Sequence, residues 1–509
     1  MKYRLERDTL GKVKVPHGSY YGAQTQRAVE NFPVSGLRLQ PSFIRAQAIV
    51  KRSAALANTA SGRLDETVGA ALVRAADEVL AGRFDDQFVV DVFQAGAGTS
   101  QNMNMNEVLA NRACEILGGS LGEYSLVHPN DHANMSQSTN DTIHTAIHVA
   151  GYCDIREGLL PAARALEAEL SRKAKRFGGV VKSGRTHLQD AVPISLGREF
   201  AAYATMVGRG CGRVEASYDA LLELCIGGTA VGTGLNTDPE YKGRVIVHIN
   251  EATGFRFRAA ADPFEAMQGF DAVLEVAGAL RVLVTSLRKI SDDLRLLSSG
   301  PRTGLGEINL PAVQPGSSIM PGKVNPVLAE MLNMVCFHAL GCDAAILSAA
   351  QAGQLELNVM MPVIAYNLLQ EIEILAGGMR AFTDRCVKGI EANKSVCESY
   401  AEKSPALATA LSPRIGYAAA AELAKQALDE DVLIRDLALK KKVLPEGTLR
   451  ELLDPRRMAE VVSDKRKAAA GRKTRATGAR EGKTKLVSKR GSRTTGPSGK
   501  KRGARRKKR

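Results

Sequence analysis

The chain has no tryptophan, and aromatic residues make up only 5% of its 509 residues. Its eight cysteines are scattered and form no CxxC pair, which argues against a disulfide scaffold and against a thiolate metal site. No run of 18 or more apolar residues occurs, and the opening stretch MKYRLERDTLGKVKVPHG carries charges where a signal peptide has an apolar segment. We therefore expect a soluble cytoplasmic protein with reduced thiols and no membrane partner.

Basic charge is concentrated in the C-terminal tail. Residues 464–509 hold 20 Lys and Arg against two acids, which leaves 49 basic and 52 acidic residues in the rest of the chain. The tail has almost no apolar residues besides alanines, so burial cannot offset the entropy of ordering it. We expect it to be disordered and to bind nucleic acid or another polyanion without sequence preference. The alternative is a solubilising appendage with no partner.

The body of the chain has weak strand signals and strong helix signals. Residues 159–177, 269–297 and 329–352 are rich in Ala, Leu, Glu and Arg, with apolar residues near helical spacing. In the second of these segments the apolar residues surround most of the helix, which is typical of a helix inside a bundle. We predict an all-α fold with a central bundle of long helices that other subunits complete.

Four polar segments interrupt or precede the helices. They read AGAGTSQNMNMNE (95–107), NMSQSTND (134–141), GRTHLQDA (184–191) and GSSIMPGKVNP (316–326). The last is a loop, because its prolines and glycines disfavour helix and strand. Small hydroxyl and amide groups, together with N–H groups at helix N-termini, bind carboxylates in a defined orientation. Helix capping explains any one of these segments, but it does not explain all four together.

The segment GSSIMPGKVNP resembles the signature loop of the aspartase/fumarase superfamily. The other three polar segments are similar to that superfamily's remaining active-site segments, in the same order, and the resemblance runs from about Tyr3 to Val462. It implies an elongated subunit whose central helices form a twenty-helix core in a homotetramer, with each active site built from three subunits. The implied domains are 1–139, 140–395 and 396–463, followed by the tail at 464–509.

The resemblance also implies a reaction. A proton leaves the carbon next to a carboxylate, and a leaving group then departs from the adjacent carbon to give fumarate, with no organic cofactor. Ser317 is the implied general base, acting as an alkoxide whose pKa must be depressed by the loop's N–H groups and by Lys323. By the same resemblance His187 faces the leaving group, and Glu330 orients the His187 side chain.

The implied substrate-binding residues fall into three sets. The set that holds the carboxylate next to the leaving group is Thr186, Lys323 and Asn325. The set that binds the carboxylate accepting the developing charge is Thr99, Ser138, Thr139 and Ser318. Asn140 faces the leaving group, and a secondary anion site would use His128, Asn130 and Asp131.

Two further patterns resemble a metal site and a dinucleotide site, but neither leads us to predict a cofactor. His144 and His148 have the i, i+4 spacing of metal ligands on a helix, yet no third ligand is evident, so we predict no metal. The glycines of GGTAVGTGLN (227–236) are spaced like a dinucleotide fingerprint. They do not follow a strand in a βαβ unit, so we predict no dinucleotide site either.

Within the superfamily the residues point to two activities. NMNMNEV (102–108) and HPND (128–131) look like fumarase, whereas AGAGTS (95–100) and SQSTND (136–141) look like aspartase. Thr139 stands where a fumarase usually has serine and is the difference expected to touch substrate, so we favour an aspartate ammonia-lyase. Fumarate hydratase is the alternative, because one hydrogen bond to the leaving group can decide specificity.

Deleting residues 464–509 should leave lyase activity unchanged and abolish retention on immobilised nucleic acid at low salt. The tail carries the excess of basic residues and has no aromatic residue for base stacking, so its contacts would be with phosphates. Retention of the full chain should fall steeply as salt is added. Equal retention by the truncated protein would exclude the tail as the binding element.

Overall fold

Helices carry most of the chain in the computed structural model, which describes residues 2–460. The N-terminal region opens with an antiparallel hairpin, β1 (Tyr3–Asp8) and β2 (Gly11–Pro16). Four helices follow: α1 (Ala23–Asn31), α2 (Pro41–Ala60), α3 (Glu66–Leu80) and α4 (Thr99–Ile116). The predicted disordered tail, residues 464–509, lies outside the described residues.

The central region begins with an unusually long helical rod. Helix α5 (Thr139–Asp154) continues through a π-helical turn at Ile155–Leu159 into α6 (Leu160–Arg176). These 38 residues keep right-handed helical backbone angles at both junctions. At 1.5 Å per residue the rod is about 57 Å long. The chain entering the rod and the chain leaving it are therefore far apart.

A second hairpin and five helices complete the central region. The hairpin pairs β3 (Val181–Thr186) with β4 (Gln189–Ser195). The helices are α7 (Leu196–Ser217), α8 (Tyr241–Thr253), α9 (Pro263–Gln268), α10 (Asp271–Leu297) and α11 (Val327–Ala350). A two-residue strand pair joins β5 (Glu223–Leu224) to β6 (Arg258–Ala259). Residues 159–177, 269–297 and 329–352 were predicted helical, and α6, α10 and α11 lie within two residues of those bounds.

The last described region starts with α12 and ends in short helices. They are α12 (Met361–Arg385), α13 (Lys394–Lys403), α14 (Ser412–Ile415), α15 (Tyr417–Asp429), α16 (Ile434–Lys440), α17 (Glu446–Leu452) and α18 (Pro455–Met458). A short antiparallel pair, β7 (Ile308–Asn309) and β8 (Glu391–Ala392), joins this region to the loop after α10. The predicted all-α class is confirmed. The predicted domain boundaries stay a prediction.

The core has one large cluster and two small ones, the smallest of which is Val13, Val15 and Ala23. The large cluster runs from Leu39 to Cys397 and takes in the buried faces of α2 to α8 and of α10 to α12. The other small cluster lies within residues 407–453. All eight cysteines are unpaired and seven are buried, as the scattered spacing predicted. Helical packing thus holds the fold together without covalent links between cysteines.

Helix α11 leaves much of its apolar surface uncovered. Met334 is 63% exposed, Phe337 51% and Leu347 41%. In the described part of the chain this one helix is long and apolar enough to cross a membrane by length and composition, a test that core helices of soluble proteins also pass. Exposed apolar surface of this extent marks an interaction face.

Candidate active site

The loop at 316–326 is closed by contacts between its two ends. The Gly316 N–H donates to the Lys323 carbonyl at 3.0 Å, and the Asn325 amide donates to the Gly316 carbonyl at 2.6 Å. A side chain at position 316 would place its Cβ 2.4 Å from the Lys323 oxygen, and Gly322 has φ of +82°. Both glycines are therefore required by the shape of the loop.

Ser317 sits where this loop directs backbone donors at its side chain. Its Oγ accepts the N–H of Ile319 at 3.3 Å and the N–H of Met320 at 3.0 Å. Donors that point at an oxygen favour its ionised form and so lower the pKa. Ser318 and Lys323 are exposed in the same loop, and the Lys323 amine has no hydrogen-bond or ion-pair partner among residues 2–460. The loop can therefore present a basic serine and a cation together.

His187 occupies the two-residue turn of the β3–β4 hairpin. Thr186 pairs with Gln189, which leaves His187 and Leu188 as the turn, with φ of 55° and 60°. Such turns favour Gly and Asn, because left-handed backbone is costly for other residues. The side chains of Thr186 and His187 are exposed. The strained turn thus leaves the predicted histidine exposed at the tip of the hairpin.

Buried ion pairs hold that hairpin in place. Glu307 is fully buried, with its Oε1 2.9 Å from Arg185 Nη1 and its Oε2 3.0 Å from Lys182 Nζ. Lys182 also lies 3.2 Å from Glu199 Oε1 on α7. Both cations belong to β3, one and four residues before Thr186. The carboxylate of Glu307 therefore fixes the strand that carries the turn.

The start of α5 is capped through Asp141. Ser138 Oγ accepts the Asn140 N–H at 3.2 Å, and Asp141 Oδ1 accepts the Ser138 N–H at 2.9 Å. Asp141 Oδ2 accepts the N–H groups of Gly227 and Thr229, both at 3.0 Å. Burial raises the pKa of Asp141 to about 7, against the opposing effect of these donors. The residue links the helix start to the loop at 227–230.

Thr139 and Asn140 are oriented by specific partners. Thr139 Oγ1 accepts the Asn102 amide at 3.0 Å, so its own hydrogen is available for a ligand. The Asn140 amide donates to the Ala230 carbonyl at 2.8 Å, so its Oδ1 is available as an acceptor. Thr99 begins α4 three residues before Asn102, and its hydroxyl donates to Gly96 at 3.2 Å. Thr99, Ser138, Thr139 and Asn140 therefore belong to one group.

Left-handed backbone recurs at these segments. Five residues other than glycine have φ between 55° and 61° at or beside them: Ala97, Ser136, His187, Leu188 and Thr229. Each such residue costs on the order of 1–3 kcal/mol and persists only where its surroundings enforce it. Clustered strain of this kind is typical of binding and catalytic segments.

The predicted site residues form three groups on the chain. The loop at 316–326 with Glu330 is one, the hairpin with Thr186 and His187 is the second, and the starts of α4 and α5 are the third. Within residues 2–460, no hydrogen bond or ion pair joins one group to another. The predicted contact between Glu330 and His187 is likewise not made within the described chain. Hydrogen bonds and ion pairs within residues 2–460 therefore leave the three groups unlinked.

The predicted secondary anion site is brought together in a single turn. His128 Nδ1 accepts the N–H groups of Asn130 and Asp131, at 3.3 Å and 3.2 Å. The same nitrogen lies 3.3 Å from Asp131 Oδ2. These contacts occupy the two backbone donors that an anion would use. Anion binding here stays a prediction.

His144 and His148 are buried and hydrogen-bonded to backbone carbonyls. His144 Nε2 lies 3.3 Å from the Gly269 oxygen, and His148 Nδ1 lies 2.8 Å from the Glu223 oxygen. Burial lowers the pKa of His148 to about 4 and that of His144 well below its usual range. In the described part of the chain, no group of three or more His, Cys, Asp and Glu residues could hold a metal ion.

Comparison with known proteins defines the class of this fold and site. Residues 11–341 match a family model described as lyase, and residues 407–460 match one described as fumarase C C-terminus. A solved structure of a fumarate lyase:delta crystallin from Brucella melitensis, bound to cobalt, superposes with a TM-score of 0.86 at 47% identity, covering 90% of this chain and 100% of that one. The fold and the polar segments are those of a lyase.

Curated relatives give the same result at higher identity. An aspartate ammonia-lyase from Bacillus subtilis is 50% identical over 90% of this chain and 96% of its own length. A class II fumarate hydratase from Halobacterium salinarum is 52% identical over 90% of this chain and 97% of its own length. The chain belongs to the aspartase/fumarase superfamily of lyases.

Sequence reasoning missed the residues that support the site from within. Asp141 and Asn102 lie inside the polar segments, but a sequence pattern does not show which amide or carboxylate points inward. Lys51 is 2% exposed and lies in the stretch QAIVKRSAALAN. A lysine between Val50 and Arg52 in a helical stretch rich in Ala, Ile, Val and Leu is the one signal that could have identified it, since buried lysines require a specific partner.

Replacing Glu307 by Gln should destabilise the protein by about 3–5 kcal/mol and lower its activity. The substitution leaves Lys182 and Arg185 facing each other, buried and without their shared carboxylate. Chemical denaturation and steady-state kinetics provide the measurements. The control is Glu391→Gln, which removes an exposed pair with Arg176 and should cost about 0–1 kcal/mol. Equal effects of the two changes would contradict the role given to Glu307.

Proposed function

We propose that the protein is an aspartate ammonia-lyase, which converts L-aspartate to fumarate and ammonia. Ser317 takes a proton from the carbon next to one carboxylate, and ammonia then leaves from the adjacent carbon. The carboxylate beside the lost proton carries a second negative charge in the intermediate, so it needs preorganised donors. Ser138, Thr139 and Ser318 would supply them, together with Thr99 once its hydroxyl turns from the Gly96 carbonyl to the ligand.

The geometry at Ser317 supports its role as the base. A serine hydroxyl is far too weak a base near neutral pH unless its ionised form is stabilised. The N–H groups of Ile319 and Met320 already point at Oγ. Lys323, six residues further along the same loop, would supply positive charge and, with Asn325 and Thr186, hold the carboxylate next to the leaving group.

The orientation of Asn140 is the observation that favours aspartate as the substrate. Its amide NH₂ is committed to the Ala230 carbonyl, which leaves its Oδ1 as a free acceptor. An ammonium group has only donors, so an oxygen acceptor suits it well. A hydroxyl leaving group needs no such acceptor, since it can donate or accept. With His187 facing the same position, the site offers acceptors to the group that departs.

Fumarate hydratase is the second candidate because the relatives divide between the two activities. The fumarate hydratase from Halobacterium salinarum is 52% identical to this chain, and the aspartate ammonia-lyase from Bacillus subtilis is 50% identical. A hydroxyl can also donate to Asn140 Oδ1. Either reaction would use Ser317 and the same carboxylate donors. In either case the elimination gives fumarate.

We further propose that the sites are shared between subunits of a homotetramer. Asn140 and Thr186 lie at opposite ends of the rod formed by α5 and α6, so residues of one chain reach different sites. The loop at 316–326 exposes apolar side chains, with Ile319 at 82% exposure, and the turn residue Leu188 is 70% exposed. The apolar face of α11 is also uncovered. Neighbouring subunits would cover these surfaces and complete each site.

The decisive measurement compares L-aspartate with L-malate as substrates by following fumarate absorbance. We expect a higher kcat/KM for aspartate, because Asn140 offers an acceptor to its ammonium group. Ser317→Ala is the control: it should abolish turnover of either substrate while ligand binding stays measurable. A kcat/KM for malate far above that for aspartate would identify a fumarate hydratase instead. A Ser317→Ala protein with near-normal kcat would exclude the serine base.

Site sharing predicts that two inactive variants restore activity when their subunits are exchanged. Ser317→Ala and His187→Ala remove residues from different groups on the chain. Mixed assemblies therefore contain some sites with both residues intact. Activity should appear after exchange of the two purified proteins and be absent from either alone. Complete inactivity after exchange has been demonstrated by mass spectrometry would contradict a site built from several chains.

A further inference from the structure

A single side-chain oxygen behind Thr139 receives three donors. Asn134 Oδ1 accepts Lys51 Nζ at 2.9 Å, the Asn102 amide at 3.1 Å and the Asn106 amide at 3.1 Å. The Asn102 amide also donates to Thr139 Oγ1 at 3.0 Å. A continuous chain of hydrogen bonds therefore runs from the amine of Lys51 to the hydroxyl of Thr139.

Lys51 is an amine buried without a carboxylate that pairs with it. It lies midway along α2, is 2% exposed, and has Asn134 as its one hydrogen-bond partner in the described chain. Burial lowers its pKa to about 7, and the charge of Asp141 opposes that shift. Asp141 makes no ion pair with it, and its oxygens already accept three backbone N–H groups. Placing a cation here is costly unless it serves an anion.

The direction of the hydrogen bonds decides what Thr139 can do. Protonated Lys51 has only donors, and the Asn134 NH₂ donates to the Gln137 carbonyl, so Asn134 turns its oxygen toward Lys51 and Asn102. Asn102 must then present its NH₂ to both Asn134 and Thr139. The Thr139 oxygen accepts from Asn102, and its hydrogen is left free to be donated to a ligand. A carboxylate is the natural recipient of that hydrogen.

We propose that Lys51 is a positioning residue for the substrate carboxylate. Through Asn134 and Asn102 it fixes Thr139 as a donor, and its charge adds positive potential behind the bound anion. A buried charge acts strongly on a ligand in water-excluded surroundings. This role rests on one part of the proposed function: the ligand that binds at Thr139 must be a carboxylate.

A purely structural role is the competing explanation, and Asn134→Asp separates the two. The variant keeps the shape and the acceptor oxygen, so Lys51, Asn102 and Asn106 keep their partner. It neutralises the charge of Lys51 and loses one amide bond, to the Gln137 carbonyl at 3.2 Å. If Lys51 only fastens α2 to this turn, the change should cost stability at most and leave anion binding unchanged. If its charge serves the ligand, anion binding should weaken.

The matched control is Asn58→Asp on the same helix as Lys51. Asn58 is 1% exposed, its Oδ1 accepts the Ser136 hydroxyl at 2.7 Å, and its amide donates to the Met135 carbonyl at 3.0 Å. The variant makes the same chemical change against the same turn and also loses one amide donation. It has no contact with Lys51. Destabilisation common to both variants is thereby separated from loss of charge.

The experiment measures succinate binding to the full-length protein by calorimetry, because succinate has both carboxylates and no leaving group. Asn134→Asp should weaken binding about tenfold or more, whereas Asn58→Asp should change it less than about twofold. In turnover, Asn134→Asp should raise KM more than it lowers kcat. Lys51→Met should weaken succinate binding as much as Asn134→Asp does. Thermal unfolding shows whether the Lys51→Met protein is folded. If that protein does not fold, Asn134→Asp alone provides the test.

Three results would overturn the proposal, and they are distinguishable. If Asn134→Asp binds succinate as tightly as the wild type, Lys51 has no role in anion binding, whatever the reaction. If the wild type binds no succinate, the proposed function fails, and the role of Lys51 fails with it. Equal weakening by Asn58→Asp and Asn134→Asp would also overturn the proposal, because the effect would then come from stability.

Discussion

The carboxylate of Asp141 is the contact on which the third group of site residues depends. It accepts backbone N–H groups from Ser138, Gly227 and Thr229, and so joins the start of α5 to a loop almost 90 residues later in the chain. Asn140 can donate to Ala230 only because that loop is held there. Thr229 keeps its left-handed backbone for the same reason. An acid that touches no substrate thereby sets the shape of the surface that does.

Glu307 plays the corresponding part for the hairpin. Both acids are buried, and both hold strained backbone: Asp141 beside Thr229, Glu307 beneath the turn at His187. The negative charges of these two acids lie behind the site and not on its surface, which has a clear physical advantage. A carboxylate at the surface would repel an anionic substrate, whereas behind the site it orders N–H and cationic groups that attract one.

The sequence predicted the helices and the polar segments well, because each depends on local pattern. Residues 269–297 have helical apolar spacing, and α10 covers almost all of them. The hairpin around His187 was not predicted: its turn residues, His and Leu, are not those that such turns favour, and the strain is stabilised by Glu307 more than 110 residues away. Lys51 was missed for a similar reason. Its importance comes from Asn134, Asn102 and Thr139, which only the fold brings beside it.

The rod formed by α5 and α6 has a consequence for how this chain can vary. A loop absorbs an added residue, but one residue inserted into a continuous helix shifts everything beyond it by about 1.5 Å and turns it by about 100°. Such an insertion would rotate the buried face of α6 out of the core and displace the hairpin relative to Asn140. The π-helical turn at Ile155–Leu159 already shifts the helical phase once within the rod. The length of this rod is therefore as tightly constrained as the identity of the residues at its ends.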